Sequence, residues 1–131
     1  MRYIIKRVGQ EPEFIECNSQ TPFSALCSKA YLGREFGMCD AAPLAVTKDG
    51  LGAIYVMFDD NGYFLRDVLK YNCNIPVLGY KPSESPEDNK LYGDVVFLRV
   101  SRTGEGETLN IKDEDMDLVK EYIFTAKSEA N

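Results

Sequence analysis

The chain has 131 residues and a formal net charge of −6, from 15 lysines and arginines against 21 aspartates and glutamates. Its hydrophobic fraction of 44% and charged fraction of 27% are ordinary globular values and exclude a disordered or fibrous chain. No apolar run approaches the roughly 18 residues of a membrane span, and the first eight residues are too polar for a secretory signal. We therefore expect a single domain over residues 1–131 that is soluble and cytoplasmic.

The first predicted elements are a β-hairpin and a helix. Residues 2–8 and 13–17 are rich in strand-forming side chains, and the Gly-Gln-Glu-Pro sequence at 9–12 is typical of a turn between them. A threonine at the N-cap, a proline at the first helical position, an apolar face at helical spacing and a terminal glycine predict a helix over residues 22–32.

Strand patterns dominate the middle of the chain. Residues 42–47 and 52–58 are strand candidates, and the second is apolar throughout, which predicts a central strand covered on both faces. Residues 63–80 fit either a short helix or a strand followed by a turn. Residues 81–90 combine two prolines, two serines and three acids, which predicts a long surface loop of a kind that is often functional. Residues 94–100 again predict a strand.

The last predicted element is a helix that starts near residues 110–112 and runs to about Ala126. Acidic side chains fill its first turns, where the helix dipole favours negative charge. Strands interspersed with two helices predict an α+β fold, with an antiparallel or mixed sheet of about five strands and two helices packed on it.

The missing residue types exclude several chemistries. The chain has no histidine, so it holds no Ser-His-Asp or Cys-His arrangement and no zinc site that uses histidine. The four cysteines form no CxxC pair, and we expect them as reduced thiols that serve mainly in the core. We expect no metal and no cofactor, and we expect a protein that is not an enzyme. An enzyme that works with carboxylates and a tyrosine is the less favoured alternative.

Negative charge is concentrated in the second half of the chain. Residues 1–66 carry 7 basic and 8 acidic side chains (net −1), and residues 67–131 carry 8 and 13 (net −5). Such a chain is a poor ligand for nucleic acid, whose phosphates bind lysine and arginine. The excess either keeps the surface solvated or attracts a basic partner. The candidate acidic surface consists of Glu105, Glu107, Asp113, Glu114, Asp115 and Asp117.

The acidic start of the last helix and the tyrosines of the middle region each allow two interpretations. Asp113 and Asp117 share a helix face and could hold Mg²⁺, although acidity at a helix start explains the same residues without a metal. Aromatic side chains around the poorly patterned middle either pack across the sheet or form a recognition surface. The candidate aromatic surface consists of Tyr63, Tyr71, Tyr80 and Tyr92.

The C-terminal third resembles a known family. Residues 92–98, the Gly-Glu-Gly turn after them and the acidic helix start at 112–115 are similar to an uncharacterised family of small domains carried by phages, plasmids and other mobile elements of bacteria. The hairpin with its Pro-Glu turn and a helix ending near Tyr31 fit the same layout. The resemblance brings no catalytic residues. It implies a setting, since small acidic proteins of mobile elements often bind and block a host protein.

The leading hypothesis is therefore a non-enzymatic interaction protein from a bacterial mobile element. In its concrete form it is an anti-defence inhibitor, of the anti-CRISPR or anti-restriction type, that binds a basic surface on a host protein of the nucleic-acid-handling defence machinery. It would bind neither nucleic acid directly nor a membrane. The alternative is a small-ligand-binding domain with a pocket lined by tyrosine and phenylalanine.

Overall fold

The computed structural model describes residues 1–17, 39–59, 66–76 and 90–125. The fold is α+β, as predicted: within these ranges an antiparallel sheet of six strands and a separate two-stranded hairpin accompany two helices. The predicted helix over 22–32 and most of the predicted loop over 81–90 lie outside the described residues. The elements are β1 (Arg2–Lys6), β2 (Glu13–Glu16), β3 (Cys39–Val46), β4 (Gly52–Asp59), α1 (Arg66–Leu69), β5 (Tyr71–Asn74), β6 (Lys90–Tyr92), β7 (Val95–Ser101), β8 (Thr108–Leu109) and α2 (Asp113–Tyr122).

The large sheet has the strand order β2-β1-β7-β4-β3, and β8 also pairs with β7. β4 pairs with β3 on one side and with β7 on the other, so the prediction of a central strand from its apolar sequence is confirmed. β1 and β8 pair with successive parts of the opposite side of β7, through Ile4↔Phe97 and Val100↔Thr108. The register thus brings the start of the chain next to the segment that leads into α2.

Side chains of the central strands alternate between two buried faces, as the two-residue period of a strand requires. Val95 and Phe97 belong to the face that packs against Leu118 and Val119 of α2. On the opposite face, Val96 and Leu98 cluster with Tyr3 and Ile5. An apolar strand such as β7 is stable only where both faces are covered, and this arrangement meets that condition.

The region over 63–80, for which the sequence left two alternatives, contains a short helix followed by a strand. α1 has four residues, none of them buried, and β5 then pairs with β6. Cys73 and Leu91 of this small hairpin lie in the same core as Leu118. The hairpin therefore packs on the side of the large sheet that carries α2.

α2 ends at Tyr122, four residues before the end that the sequence predicts. Ile123 is extended, with φ −90° and ψ 149°, and Phe124 forms a β-bridge with Asn74 through backbone hydrogen bonds of 2.7 and 3.2 Å. Pairing with β5 replaces the last helical turn and ties the end of α2 to the small hairpin. Within the described ranges, no helix has both the length and the apolar character needed to cross a membrane.

Candidate interaction site

Acidic residues occupy the first turn of α2. Asp113, Glu114 and Asp115 follow Lys112, the N-cap residue. Carboxylates at this end of a helix gain about 0.3–1 kcal/mol each from the unpaired backbone N–H groups and the helix dipole. Asp115 binds one of these backbone N–H groups directly: its Oδ2 accepts a hydrogen bond from the N–H of Lys112 at 2.8 Å.

A cluster of four charged side chains lies at this helix start. Nη1 of Arg99 donates to both carboxylate oxygens of Asp115, at 3.0 and 3.1 Å, and Nη2 donates to Oδ2 of Asp49 at 2.5 Å. The ammonium of Lys112 donates to that same Asp49 oxygen at 2.8 Å. We call Arg99, Asp115, Asp49 and Lys112 the Arg99 cluster. Its two positive and two negative charges cancel, so its contribution to the net surface charge is zero.

The sheet positions Arg99 for these contacts. Arg99 follows Val95 and Phe97 at every second position of β7, so its side chain shares their face and points towards α2. Gly52 on β4 leaves space for the guanidinium. A Cβ atom at Gly52 would lie 3.1 Å from Arg99 Nε, closer than about nine in ten real Cβ contacts.

Asp49 is held in the turn between β3 and β4. The hydroxyl of Thr47 donates to Asp49 Oδ1 at 2.6 Å, and the backbone N–H of Leu51 donates to the same oxygen at 3.0 Å. The hydrogen bonds from Lys112, Thr47, Leu51 and Arg99 hold the Asp49 pKa well below its usual range. Burial acts to lower the pKa of Arg99, but its hydrogen bonds to Asp115 and Asp49 outweigh burial and raise it. Asp49 and Arg99 are therefore both charged at neutral pH.

The prediction that Asp115 belongs to the candidate acidic surface is wrong. Asp115 is completely buried, because a carboxylate at the third helical position faces the sheet, where Arg99 neutralises it. It cannot contact a partner. Glu114 is half-buried, and the remaining members, Glu105, Glu107, Asp113 and Asp117, are exposed.

Three exposed carboxylates form a row along α2. Asp113, Asp117 and Glu121 follow one another at four-residue intervals and are all exposed. With a rise of 1.5 Å per residue, neighbours in such a row are about 6 Å apart along the helix. We call these three residues the acidic row. Glu121, which is not a member of the candidate acidic surface, belongs to the acidic row because of this spacing.

The first member of the acidic row is paired with β1. Arg2 Nη2 donates to Asp113 Oδ1 at 2.7 Å, while the side chain of Asp113 stays 90% exposed. The guanidinium of Arg2 also lies 4.0 Å from the centre of the Phe14 ring, a cation–π contact. A backbone hydrogen bond of 3.1 Å, from the N–H of Ile111 to the carbonyl oxygen of Arg2, fixes the position of this helix start on the sheet.

A shallow groove of about 820 Å³ lies beside the contact between the start of β1 and the start of α2. Its acidic residues are Glu16, Asp113 and Glu114, and its basic side chains are Arg2 and Lys112. Because both signs of charge line it and it is open to solvent, the groove provides no enclosed site for a small ligand.

The acidic loop between β7 and β8 leads towards the same helix. Glu105 and Glu107 are exposed within the turn that the sequence predicted. Neither forms an ion pair with another residue of the described ranges, and neither do Asp117 and Glu121. Within the candidate acidic surface and the acidic row, these four carboxylates are exposed and have no ion-pair partner among the described residues.

Two of the four candidate tyrosines can be located. Tyr71 and Tyr92 face each other across the β5–β6 hairpin, with ring centres 6.2 Å apart in an edge-to-face arrangement. Both are half-buried, and the hydroxyl of Tyr71 donates to Asn74 Oδ1 at 2.5 Å. These two rings stabilise the hairpin. Tyr63 and Tyr80 lie outside the described residues.

Sequence reasoning missed Arg99 and Asp49. A signal for Arg99 was present, since a single charged residue in the apolar run of β7 must find a partner if it is buried. Nothing in the sequence indicates which of 21 acidic residues supplies that partner. Within the described ranges, no group of three acidic or cysteine side chains converges in a way that would hold a metal ion.

The fold and site define an α+β protein with a neutralised charge cluster beneath an exposed acidic helix face. Comparison with family models, with curated proteins and with solved structures gives no match for this chain.

Proposed function

We propose that this protein acts by binding, without chemistry, a basic surface on another protein through the acidic row and the acidic loop that precedes α2. The observation that carries the proposal is the separation of its acidic residues into two groups. Asp115 and Asp49 are neutralised within the Arg99 cluster, whereas Asp117, Glu121, Glu105 and Glu107 are exposed without an ion pair in the described residues.

The helix that carries the acidic row is held rigidly, which favours binding through its exposed face. The opposite side of α2 packs into the core through Leu118 and Val119, and its two ends are fixed by the Arg99 cluster and by the bridge from Phe124 to Asn74. Carboxylates on a fixed helix lose little conformational freedom of the backbone on binding, so less of the electrostatic attraction is offset by ordering.

Charge density limits what the row can imitate. The acidic row carries one carboxylate about every 6 Å, against one phosphate about every 3.4 Å along each DNA strand. The helix alone therefore supplies at most about half the linear charge of a strand, because Arg2 already pairs with Asp113. Imitation of a phosphate backbone requires the loop residues Glu105 and Glu107 as well, so the two segments act as one surface in this proposal.

In its specific form, the proposal places the protein in a bacterial mobile element as an inhibitor of host defence. The support is the acidic surface, the lack of histidine and the family resemblance of the C-terminal third. A defence protein that handles nucleic acid exposes lysines and arginines that bind phosphates, and such a surface is complementary to clustered carboxylates.

The test is capture of partners on the immobilised protein from a lysate of the bacterium that carries the gene, at 50 mM and at 500 mM salt, with identification by mass spectrometry. We expect a basic, nucleic-acid-binding protein whose retention falls on the order of tenfold at high salt, because screening shortens the range of exposed charges. The double variant Asp117→Asn/Glu121→Gln should lose the same partner.

A matched control is Asp40→Asn/Asp67→Asn, which removes two exposed carboxylates elsewhere on the described surface. It should retain the partner. Equal loss with both double variants would mean that only net charge matters, and retention by Asp117→Asn/Glu121→Gln would remove the acidic row from the interface. Recovery of no basic partner at low salt would refute the proposed function.

A further inference from the structure

A lysine lies on the core side of the sheet, away from the acidic row. Along β1, Tyr3 and Ile5 belong to one buried face and Ile4 to the face that carries α2. Lys6 is two residues beyond Ile4, so it points to the α2 side. It is half-buried there, near the end of α2 opposite to the Arg99 cluster.

The ammonium of Lys6 is positioned but not neutralised. Its Nζ donates to Asn72 Oδ1 at 2.8 Å. Asn72 is itself fixed, because its Nδ2 donates to the backbone oxygens of Lys6 and Gly93 at 2.9 and 2.7 Å. Among the described residues no carboxylate forms an ion pair with Lys6. An ammonium has three N–H donors, and a half-buried cation with only an amide partner is incompletely compensated.

Lys6 lines a cleft that lies between three segments distant in sequence. Two pockets of about 200 and 360 Å³ adjoin at Lys6, Glu11 and Thr125. Their walls are formed by the end of β1 with the β1–β2 turn, by the first three residues of β5, and by residues between Lys120 and Thr125. The bridge between Phe124 and Asn74 holds the third wall in place.

The lining of the smaller pocket combines positive charge with apolar surface. Lys6 and Lys120 contribute two positive charges and Glu11 one negative charge, which leaves a net charge of +1 in a protein of net charge −6. Pro12 and Phe124 supply apolar walls. Cys73 also lines it, and burial raises the pKa of its thiol to about 12, so it adds no charge at neutral pH.

We propose that this cleft binds a small organic monoanion, whose carboxylate accepts hydrogen bonds from the Lys6 ammonium and whose apolar part lies against Pro12 and Phe124. The size of the smaller pocket, below the 300–1,000 Å³ of sites for drug-sized ligands, limits the occupant to a molecule about as large as benzoate. A dianion fits less well because Glu11 lies at the rim. The site is independent of the acidic row, so either proposal can fail alone.

The experiment is a titration of the ¹⁵N-labelled full chain with benzoate, followed by NMR, with benzyl alcohol, benzylamine and phenyl phosphate in parallel. We expect benzoate to shift the backbone amides of Lys6, Asn72 and Thr125. Benzyl alcohol and benzylamine should leave them unchanged, and phenyl phosphate should bind more weakly than benzoate. Lys6→Met, which keeps most of the apolar stem, should weaken benzoate binding at least about tenfold, since it removes the charged donor.

Two variants separate the site from general charge effects. Lys48→Met removes an exposed lysine in the β3–β4 turn and should bind benzoate like the unmodified chain. Glu11→Gln should bind it more tightly, because it removes the negative charge from the rim. The proposal is overturned if benzoate shifts none of these amides, if benzyl alcohol shifts them equally, or if Lys6→Met and Lys48→Met behave alike while both remain folded.

Discussion

The guanidinium of Arg99 and the carboxylate of Asp115 form an ion pair in which neither side chain is more than 2% exposed. Both carboxylate oxygens of Asp115 accept from the same Nη1 atom. The pair joins the central strand β7 to the first turn of α2. Burying two charges is costly unless each is neutralised and hydrogen-bonded, and here Asp49 and the Lys112 backbone complete the partners of both.

Arg99→Met is expected to destabilise the protein by about 3–5 kcal/mol, because it leaves Asp115 charged and buried without its cation. The triple variant Arg99→Met/Asp115→Leu/Asp49→Asn should recover part of that loss, since it removes the buried charges together. Urea denaturation measures the free energy of unfolding of the single and the triple variant. Lys112→Met is the control and should cost less than about 1 kcal/mol, because the lysine side chain is 53% exposed. An Arg99→Met protein as stable as the unmodified one would contradict the assigned role of the cluster.

The stability of the protein should fall as the pH drops below about 4. The hydrogen bonds from Lys112, Thr47, Leu51 and Arg99 hold the Asp49 pKa well below its usual range. Folding therefore favours the carboxylate, and the stabilisation is present above the unfolded-state pKa of about 3.9 and is lost as the pH falls towards the folded value.

Free energies of unfolding measured in urea between pH 7 and pH 2 provide the test. Asp49→Asn should be less stable than the unmodified chain at pH 7, and the gap should narrow at pH 2. Asp67→Asn serves as the comparison, because this exposed residue of α1 lies outside the Arg99 cluster. A gap for Asp49→Asn that stays constant with pH would contradict the prediction.

Alkaline pH should destabilise the fold for a different reason. Burial raises the pKa of Tyr3 from 10.0 to about 12, with a further increase from Cys17, and burial also raises that of Cys73 from 9.0 to about 12. The unfolded chain loses these protons first, so stability is full below about pH 9 and declines as the pH rises towards 12. Tyr3→Phe should show a shallower decline between pH 9 and pH 12 than Tyr122→Phe, when chemical denaturation is repeated at each pH.

Gly93→Ala should cost more stability than Gly9→Ala. Both glycines have a positive φ, of 81° and 74°, which disfavours any residue with a Cβ. At Gly9 nothing lies within 4 Å of the added atom, whereas at Gly93 the atom would lie 3.3 Å from Cβ of Leu69. Thermal unfolding of the two variants separates the backbone strain, which they share, from the contact, which only Gly93 has. Equal losses would show that Leu69 moves aside without cost.

The elements that the sequence predicted correctly are those whose signal is local. The β1–β2 hairpin, β3, β4 and β7 follow from strand-forming residues and turn residues within a few positions of one another. The start of α2 follows from its acidic first turn. Its end was wrong because Phe124 pairs with Asn74, 50 residues earlier in the chain, and no local pattern reports that contact.

The candidate site divides in the same way. Composition and charge by themselves determined that the chain is acidic, lacks histidine and concentrates its negative charge in the second half. Only the tertiary structure decided that Asp115 is buried against Arg99 while Asp117 is exposed, and that Lys6 and Lys120 line one cleft. The physical reason is that a carboxylate or an ammonium is acidic or basic by its own chemistry, whereas its availability depends on which distant side chains the fold places around it.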